Sequence, residues 1–222
     1  MIKIGQLTAS MVKVAEKSAL LARRIRSQPA LLSLLVEEKS GEEKNKRFVK
    51  DFKTLADVLV QELVKHELGN EFPGLADHIY GEESNKFTNA NGTTIEVSIK
   101  ESLDDTAQLL VSILDGNEEA AKALAEVIHA DVPVETDTKL QSLNTSIPVE
   151  STGIWIDPID STAQYIHGFT SVESEGTGVY FKGLQCVCIL IGAYDITTGE
   201  AIAGVINRSE ERRVGKECRS RW

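Results

Sequence analysis

The chain has 222 residues, of which 41% are hydrophobic, and it carries a formal net charge of −10 at pH 7. This length can bury a core in one or two domains, and the acidic charge argues against nucleic acid or an anionic membrane as a partner. No apolar run approaches the length of a membrane span, and the first residues lack the apolar segment of a signal peptide, so we expect a cytoplasmic protein.

Three cysteines do not make a disulfide framework. Cys186 and Cys188 lie two residues apart on one predicted strand, and we expect both to be core thiols. No feature of the sequence indicates an oligomeric state.

The first part of the chain has the periodicity of helices. Thr8 or Ser10 is predicted to cap a first helix, and Pro29 to end it or to begin a second, shorter one. The predicted core face of the first helix recurs at three- and four-residue steps: Met11, Val14, Ala15, Leu21, Ala22 and Ile25. Lys39 to Arg47 is nearly all charged with both signs mixed, so we interpret it as a solvated loop.

A long helix is predicted from about Thr54 to Leu68, with Gly69 as its stop. Asp57 lies in its first turn, where the simplest role for an acidic side chain is to interact with the helix N-terminus. Further along, Gly81 precedes Glu82 and Glu83, a stretch that on its own is typical of an acidic turn.

The rest of the chain mixes strands and helices. Asn91-Gly92 predicts a hairpin turn, and two apolar strands near the end of the chain form a second hairpin. The predicted segments are a strand at residues 94–99, helices at 102–114 and 118–129, and strands at 184–193 and 201–206. Helices first, then mixed strands and helices, favour a layered α+β fold.

The most informative stretch is Gly153–His167, with the sequence GIWIDPIDSTAQYIH. The apolar run Ile154–Ile156 is short enough to be a buried strand that ends at Asp157, and residues 163–167 can form a short helix. Asp157 and Asp160 are then held at a strand–turn–helix junction, beside the free N–H groups of the helix's first turn. Hard oxygen ligands beside an anion-binding helix end suit Mg²⁺ and a phosphate, which is typical of a phosphatase.

An isolated Asp-Pro-x-Asp segment would be an ordinary turn. The longer string Asp157–Thr162, after an Ile-Trp-Ile strand, resembles the signature of the lithium-sensitive, magnesium-dependent phosphatases of the inositol monophosphatase superfamily. Ser161, where most members carry Gly, resembles the branch that removes the 1-phosphate from inositol polyphosphates. The resemblance runs from about Ser10 to Asn207. Three further stretches share it: Asp51–Asp57, Phe72–Leu75 and Gly81–Asn85.

The resemblance implies the αβαβα sandwich of the inositol monophosphatase/fructose-bisphosphatase type and a site for two Mg²⁺ ions. The implied metal ligands are Glu82, Asp157, the main-chain carbonyl of Ile159 and Asp160, with Glu83 as a helper. Gly81 is expected to permit a sharp bend that aims Glu82 inward. The resemblance also implies that Asp57 and the Thr162 hydroxyl orient and deprotonate the attacking water, and that the Ser161 and Thr162 main-chain N–H groups receive the phosphate oxygens.

The implied substrate is an inositol bisphosphate or trisphosphate, such as inositol 1,4-bisphosphate. A sister enzyme, the 3′-phosphoadenosine 5′-phosphate phosphatase, shares the metal motif, but Ser161 and Phe72–Leu75 argue against it. A non-catalytic fragment is the third alternative.

Residues 208–222 differ abruptly in charge from the rest of the chain. They carry six basic and three acidic residues, whereas residues 1–207 carry 18 basic and 31 acidic residues. We interpret 208–222 as a non-native tail encoded by a sequencing adapter, and 1–207 as the N-terminal α+β half of the phosphatase. Because the superfamily takes a further metal-binding Asp from a downstream Trp-Asp motif, we expect the chain as printed to be inactive.

Overall fold

The computed structural model describes residues 1–39, 51–134, 140, 142–170 and 179–208. The charged loop predicted at Lys39–Arg47 lies outside these residues apart from Lys39, and the predicted tail lies outside them apart from Arg208.

The described residues form six helices and ten strands, mixed along the chain. The helices are α1 (Ile4–Arg26), α2 (Pro29–Leu34), α3 (Leu55–Glu71), α4 (Leu103–Ile113), α5 (Glu118–His129) and α6 (Thr162–His167). The strands are β1 (Ile2–Lys3), β2 (Val36–Glu38), β3 (Phe52–Thr54), β4 (Ile79–Gly81), β5 (Lys86–Thr88), β6 (Thr94–Glu96), β7 (Ser146–Ile147), β8 (Thr152–Asp160), β9 (Cys188–Asp195) and β10 (Ala201–Asn207). Short 3-10 helices lie at Pro73–His78, Val149–Ser151 and Leu184–Cys186.

The central sheet has the strand order β10–β9–β8–β4. β9 runs antiparallel to both β8 and β10, whereas β4 runs parallel to β8, with Gly81 opposite Ile156. Parallel strands end at the same edge of a sheet, so the residues that follow β4 lie beside the second half of β8. The Glu82 N–H continues this pairing and donates to the Ile156 carbonyl at 3.1 Å.

The main core lies between this sheet and two long helices. α1 packs against α3, β9 and β10, and α3 also packs against β8. The predicted core face of α1 is confirmed, since all six of its predicted residues are buried. No helix in the described ranges combines the length and the apolar character needed to cross a membrane.

Within the described part of the chain, the central strand β8 is not buried at every position. Ile154 and Ile156 are buried against the helices, but Trp155 between them is 52% exposed. Side chains alternate between the two faces of a strand, so the prediction of a fully buried strand is wrong for Trp155.

Two predicted helix boundaries are also wrong. α1 begins at Ile4 with Lys3 as its N-cap, because β1 pairs with β7 and leads directly into the helix. The hydroxyls of Thr8 and Ser10 donate to carbonyls inside α1 and do not cap it. α3 continues through Gly69 to Glu71, since Phe72 N–H still bonds to a carbonyl of the helix.

The prediction for the two cysteines holds only in part. Cys188 is buried at the start of β9, but Cys186 is half-buried in the 3-10 helix before that strand. The thiol of Cys186 donates to the Tyr180 carbonyl at 3.3 Å. The two predicted hairpins, the second helix at Pro29 and the break between α4 and α5 are confirmed.

Gly168 ends α6 in a left-handed conformation, with φ 69°. A Cβ there would overlap the guanidinium of Arg26, which donates to the carbonyls of Tyr165 at 3.2 Å and Gly168 at 2.8 Å. Gly92 also has a positive φ, 83°, but open space around its Cα. Substitution of Gly92 therefore introduces backbone strain alone, whereas substitution of Gly168 adds steric overlap to that strain.

We predict that Gly92→Ala lowers the free energy of unfolding by about 1 kcal/mol, through backbone strain alone. Gly168→Ala should cost about 2–3 kcal/mol, because the same strain is joined by displacement of Arg26. Urea denaturation of both variants and the wild type measures the difference. Equal losses would show that the Arg26 contact contributes nothing.

Candidate active site

Four carboxylates gather where β4 ends and β8 bends. Glu82 and Glu83 follow β4 directly, and Asp157 and Asp160 lie on β8. The register between β8 and β9 shifts between Asp157 and Asp160. The strand therefore continues past Asp157, where we predicted its end, because the irregularity accommodates Pro158, which cannot donate to a ladder.

The turn from β8 into α6 is made by Ser161. This residue has φ 69° and ψ 46°, in the left-handed region, and its side chain makes no capping hydrogen bond to the helix. Glycine adopts this conformation without a steric cost, whereas the side chain of Ser161 makes it unfavourable. The helix itself begins at Thr162, one residue before the predicted start.

Asp57 and Thr162 are 105 residues apart in sequence and meet in the fold. Thr54 donates to Asp57 Oδ2 from its backbone N–H at 2.7 Å and from its hydroxyl at 2.6 Å, and the Asp57 N–H donates back to the Thr54 hydroxyl at 3.3 Å, which completes a capping box. The Thr162 hydroxyl lies 3.4 Å from Asp57 Oδ1 and 3.0 Å from the Ile159 carbonyl. One oxygen of Asp57 therefore caps α3, and the other is directed at Thr162.

Burial, and after it the charge of neighbouring acids, raises the pKa values of three acidic side chains at the site. Burial raises the pKa of Asp57 to about 7, with a smaller contribution from Glu83 and an opposing one from the Thr54 hydrogen bonds. Burial also raises the pKa of Asp157 to about 7, followed by the charges of Glu82, Asp160 and Glu83. Burial raises the pKa of Glu83, against the hydrogen bond from Lys39. The site therefore holds several acidic groups close together where solvent reaches them poorly.

Lys39 supplies a positive charge that the sequence analysis did not place at the site. Its Nζ lies 2.5 Å from Glu83 Oε1 and 3.7 Å from Glu82 Oε1, and its side chain is 5% exposed. Burial lowers the pKa of Lys39, but the hydrogen bond and charge of Glu83 outweigh it, so the pKa lies above its usual value. The prediction of a solvated residue is wrong for Lys39, because β2 pairs with β3 and the Lys39 N–H extends this pairing to the Asp51 carbonyl at 2.8 Å.

The bend expected at Gly81 is not found. Gly81 is the last residue of β4, without a positive φ, and the side chain of Glu82 after it is 47% exposed. Glu83 is the more buried of the two acids, at 6% exposed.

The residues at this edge fit a hard divalent cation by their chemistry. Among the described residues, no three His, Cys, Asp or Glu side chains already stand close enough together to hold a metal ion. The donors are nevertheless all oxygens, and the ammonium of Lys39 already stands beside two of them. Burial and the charges of Glu82, Asp160 and Glu83 raise the pKa of Asp157, and a cation there would favour its charged form. The Ile159 carbonyl accepts from Thr162, and Asp160 accepts from the Cys188 thiol at 3.5 Å.

Three residues around the site were missed by the sequence analysis. Lys39 begins a polar stretch of mixed charges that gives no local signal. Cys188 is placed beside Asp160 only by the pairing of β8 with β9, and burial, followed by Asp160, raises its pKa to about 12. Gln61 could have been found, since it follows Asp57 by one helical turn and so lies on the same face of α3.

Comparisons with known proteins support the resemblance. A sequence profile described as the inositol monophosphatase family matches residues 90–218. The matched range runs into the segment predicted to be a non-native tail, whose origin stays a prediction. Proteins named inositol polyphosphate 1-phosphatase from Mus musculus, Homo sapiens and Bos taurus are 52%, 50% and 48% identical to the chain over 205 residues.

Each of these alignments covers 92% of this chain and 51% of the relative. The chain thus spans about half the length of the curated relatives it matches. The predicted family and the predicted α+β fold class are confirmed.

The raised pKa of Asp57 predicts how stability depends on pH in metal-free protein. The folded chain holds the Asp57 proton up to a pH of about 7, whereas the unfolded chain releases it near the ordinary pKa of 3.8. This contribution to stability is complete below the unfolded pKa and is lost as the pH rises through the folded pKa. Asp57→Asn removes the titration and keeps an oxygen that can accept from Thr54.

Relative to Asp57→Asn, the wild type should lose up to about 1.4 kcal/mol of unfolding free energy per pH unit between pH 4 and 7. Denaturant titrations of both proteins with EDTA at several pH values measure this difference. Parallel pH profiles would contradict the assignment, since Asp157 and Glu83 titrate in both proteins.

Proposed function

Because the chain belongs to the inositol monophosphatase family, we propose that it carries the hydrolytic centre of a Mg²⁺-dependent, lithium-sensitive phosphatase that removes the 1-phosphate from inositol polyphosphates. The observation that carries the proposal is the meeting of Asp57 with Thr162 beside four carboxylates on neighbouring strands. The three relatives, all named inositol polyphosphate 1-phosphatase, support the substrate class. A cytoplasmic location stays a prediction.

Asp57 serves as the proton acceptor for the attacking water. Its Oδ2 is fixed by Thr54, so its Oδ1 keeps a constant direction towards the Thr162 hydroxyl. A pKa of about 7 suits a general base that works near neutral pH. The attacking water is oriented by hydrogen bonds to both the Thr162 hydroxyl and Asp57 Oδ1, which lie side by side, and the Thr162 hydroxyl is itself fixed by the Ile159 carbonyl.

The carboxylates hold the metal. Hydrolysis of phosphate monoesters has a very high uncatalysed barrier and depends on charge neutralisation more than on covalent catalysis. Bound Mg²⁺ supplies the positive charge that lowers the pKa of a water and stabilises the leaving oxygen. We assign its ligands in this chain to Glu82, Asp157, the Ile159 carbonyl and Asp160, with Glu83 beside them.

The phosphate of the substrate is received at the start of α6. We assign this role to the main-chain N–H groups of Ser161 and Thr162, which precede the first hydrogen-bonded turn of that helix. The left-handed Ser161 directs the chain from the metal ligands into α6 within one residue. The acidic chain can accept a polyanion here only because Lys39 and the metal locally reverse its field.

Phosphate release tests the proposal directly. Residues 1–207 are joined to the second half of the mouse relative, because the chain spans about half of that protein. We expect Mg²⁺-dependent release from inositol 1,4-bisphosphate that lithium inhibits, and little release from 3′-phosphoadenosine 5′-phosphate. Thr162→Val keeps the shape of the side chain but removes the hydroxyl, and should lower turnover by about 10²-fold or more.

The mouse relative is the positive control, and Asp104→Asn, an exposed acid at the start of α4, is the neutral one. A folded chimera that hydrolyses neither compound would contradict the proposal. If the chimera prefers 3′-phosphoadenosine 5′-phosphate, the chain has the activity of the sister enzyme instead.

A further inference from the structure

Gln61 is a fully buried polar side chain in α3, with 0% exposure. Its Nε2 donates to the Glu83 carbonyl at 2.6 Å, and its Oε1 accepts from the Glu83 N–H at 2.9 Å. A single side-chain amide thus satisfies both backbone groups of Glu83, as a neighbouring strand would. These two bonds fix the position and the orientation of the peptide groups on either side of Glu83.

The absence of a side chain at Gly81 makes room for this contact. A Cβ at Gly81 would overlap the amide of Gln61, and Gly81 is also the last residue that pairs with β8. Glycine is therefore required here by a close approach and not by a bend.

The segment after β4 is held from several directions. Lys53, from β3, donates to the Ser84 hydroxyl at 3.3 Å and to the Lys86 carbonyl at 3.0 Å. Lys39 binds the carboxylate of Glu83, while Gln61 binds its backbone. The Glu82 N–H is bonded to β8. Among these contacts, those of Gln61 alone connect the segment to the helix that carries Asp57.

We propose that Gln61 is a positioning residue that fixes Glu82 and Glu83 relative to Asp57, so that the metal ligands after β4 and those on β8 are held close together. The proposal rests on the proposed function, because it assumes that these acids bind the metal. Gln61 lies one helical turn after Asp57, so a single rigid helix holds the proton acceptor and the ligand segment together.

Binding of Mn²⁺ to the full 222-residue chain, followed by electron paramagnetic resonance, tests this role without an activity assay. Gln61→Met keeps the length and volume of the side chain but removes both hydrogen bonds. We expect it to weaken Mn²⁺ binding by about 10–100-fold, as for other residues that orient metal ligands. The control is Val64→Ala, a buried change on the same helix that should leave the dissociation constant within about threefold of the wild type.

Backbone hydrogen exchange at Glu83 supplies a readout that does not need metal. The Glu83 amide should exchange faster in Gln61→Met than in Val64→Ala, with both measured at the same distance from their melting temperatures. Equal exchange rates, or an unchanged Mn²⁺ dissociation constant in folded Gln61→Met, would overturn the positioning role. If the wild-type chain does not bind Mn²⁺ but Glu83 exchange is faster in Gln61→Met, the proposed metal site fails while the positioning of Glu83 by Gln61 stands.

Discussion

The parallel pairing of β4 with β8 is the constraint on which the site depends. It sets Gly81 opposite Ile156, so Glu82 and Glu83 leave one strand beside Asp157 on the other. An antiparallel β4 would place the two acidic pairs at opposite ends of the sheet. The pairing also brings these acids together in a poorly solvated site, where burial and then neighbouring negative charge raise the pKa values of Asp157 and Glu83, and the buried ammonium of Lys39 partly balances that charge.

Asp57 shows how one residue can have a structural and a chemical role together. The capping box uses Oδ2, and the direction that this imposes leaves Oδ1 facing Thr162. A capping carboxylate with no other role could lie at the protein surface, where it stays hydrated at no desolvation cost. Here the carboxylate is buried, so the fold loses free energy whenever it is charged. A cation or a proton at the site relieves that cost.

Much of this arrangement could be predicted from local patterns, and the rest could not. The core face of α1 and the hairpin turns follow from periodicity and turn chemistry, and the Asp157–Thr162 string points to the site. The helical spacing of Gln61 from Asp57 can be read from the sequence, but the bonds of Gln61 to Glu83 and the contact of Lys39 with the same residue join distant segments, which no local pattern contains. A bend was predicted at Gly81 because glycine usually serves where the backbone needs an unusual conformation. Here the lack of a Cβ at Gly81 makes room for the amide of Gln61. Trp155 was predicted to be buried because an apolar run does not reveal which face of a sheet is covered.

The central claim is that acids on two different strands bind the same cation, and the dissociation constant of Mn²⁺ tests it most directly. Calorimetric titrations of Glu82→Gln, on the β4 side, and of Asp157→Asn, on the β8 side, are compared with the wild type and with Asp104→Asn. We predict that each of the first two variants weakens binding by at least about tenfold, while the control does not change it. Wild-type affinity in either Glu82→Gln or Asp157→Asn would contradict the claim.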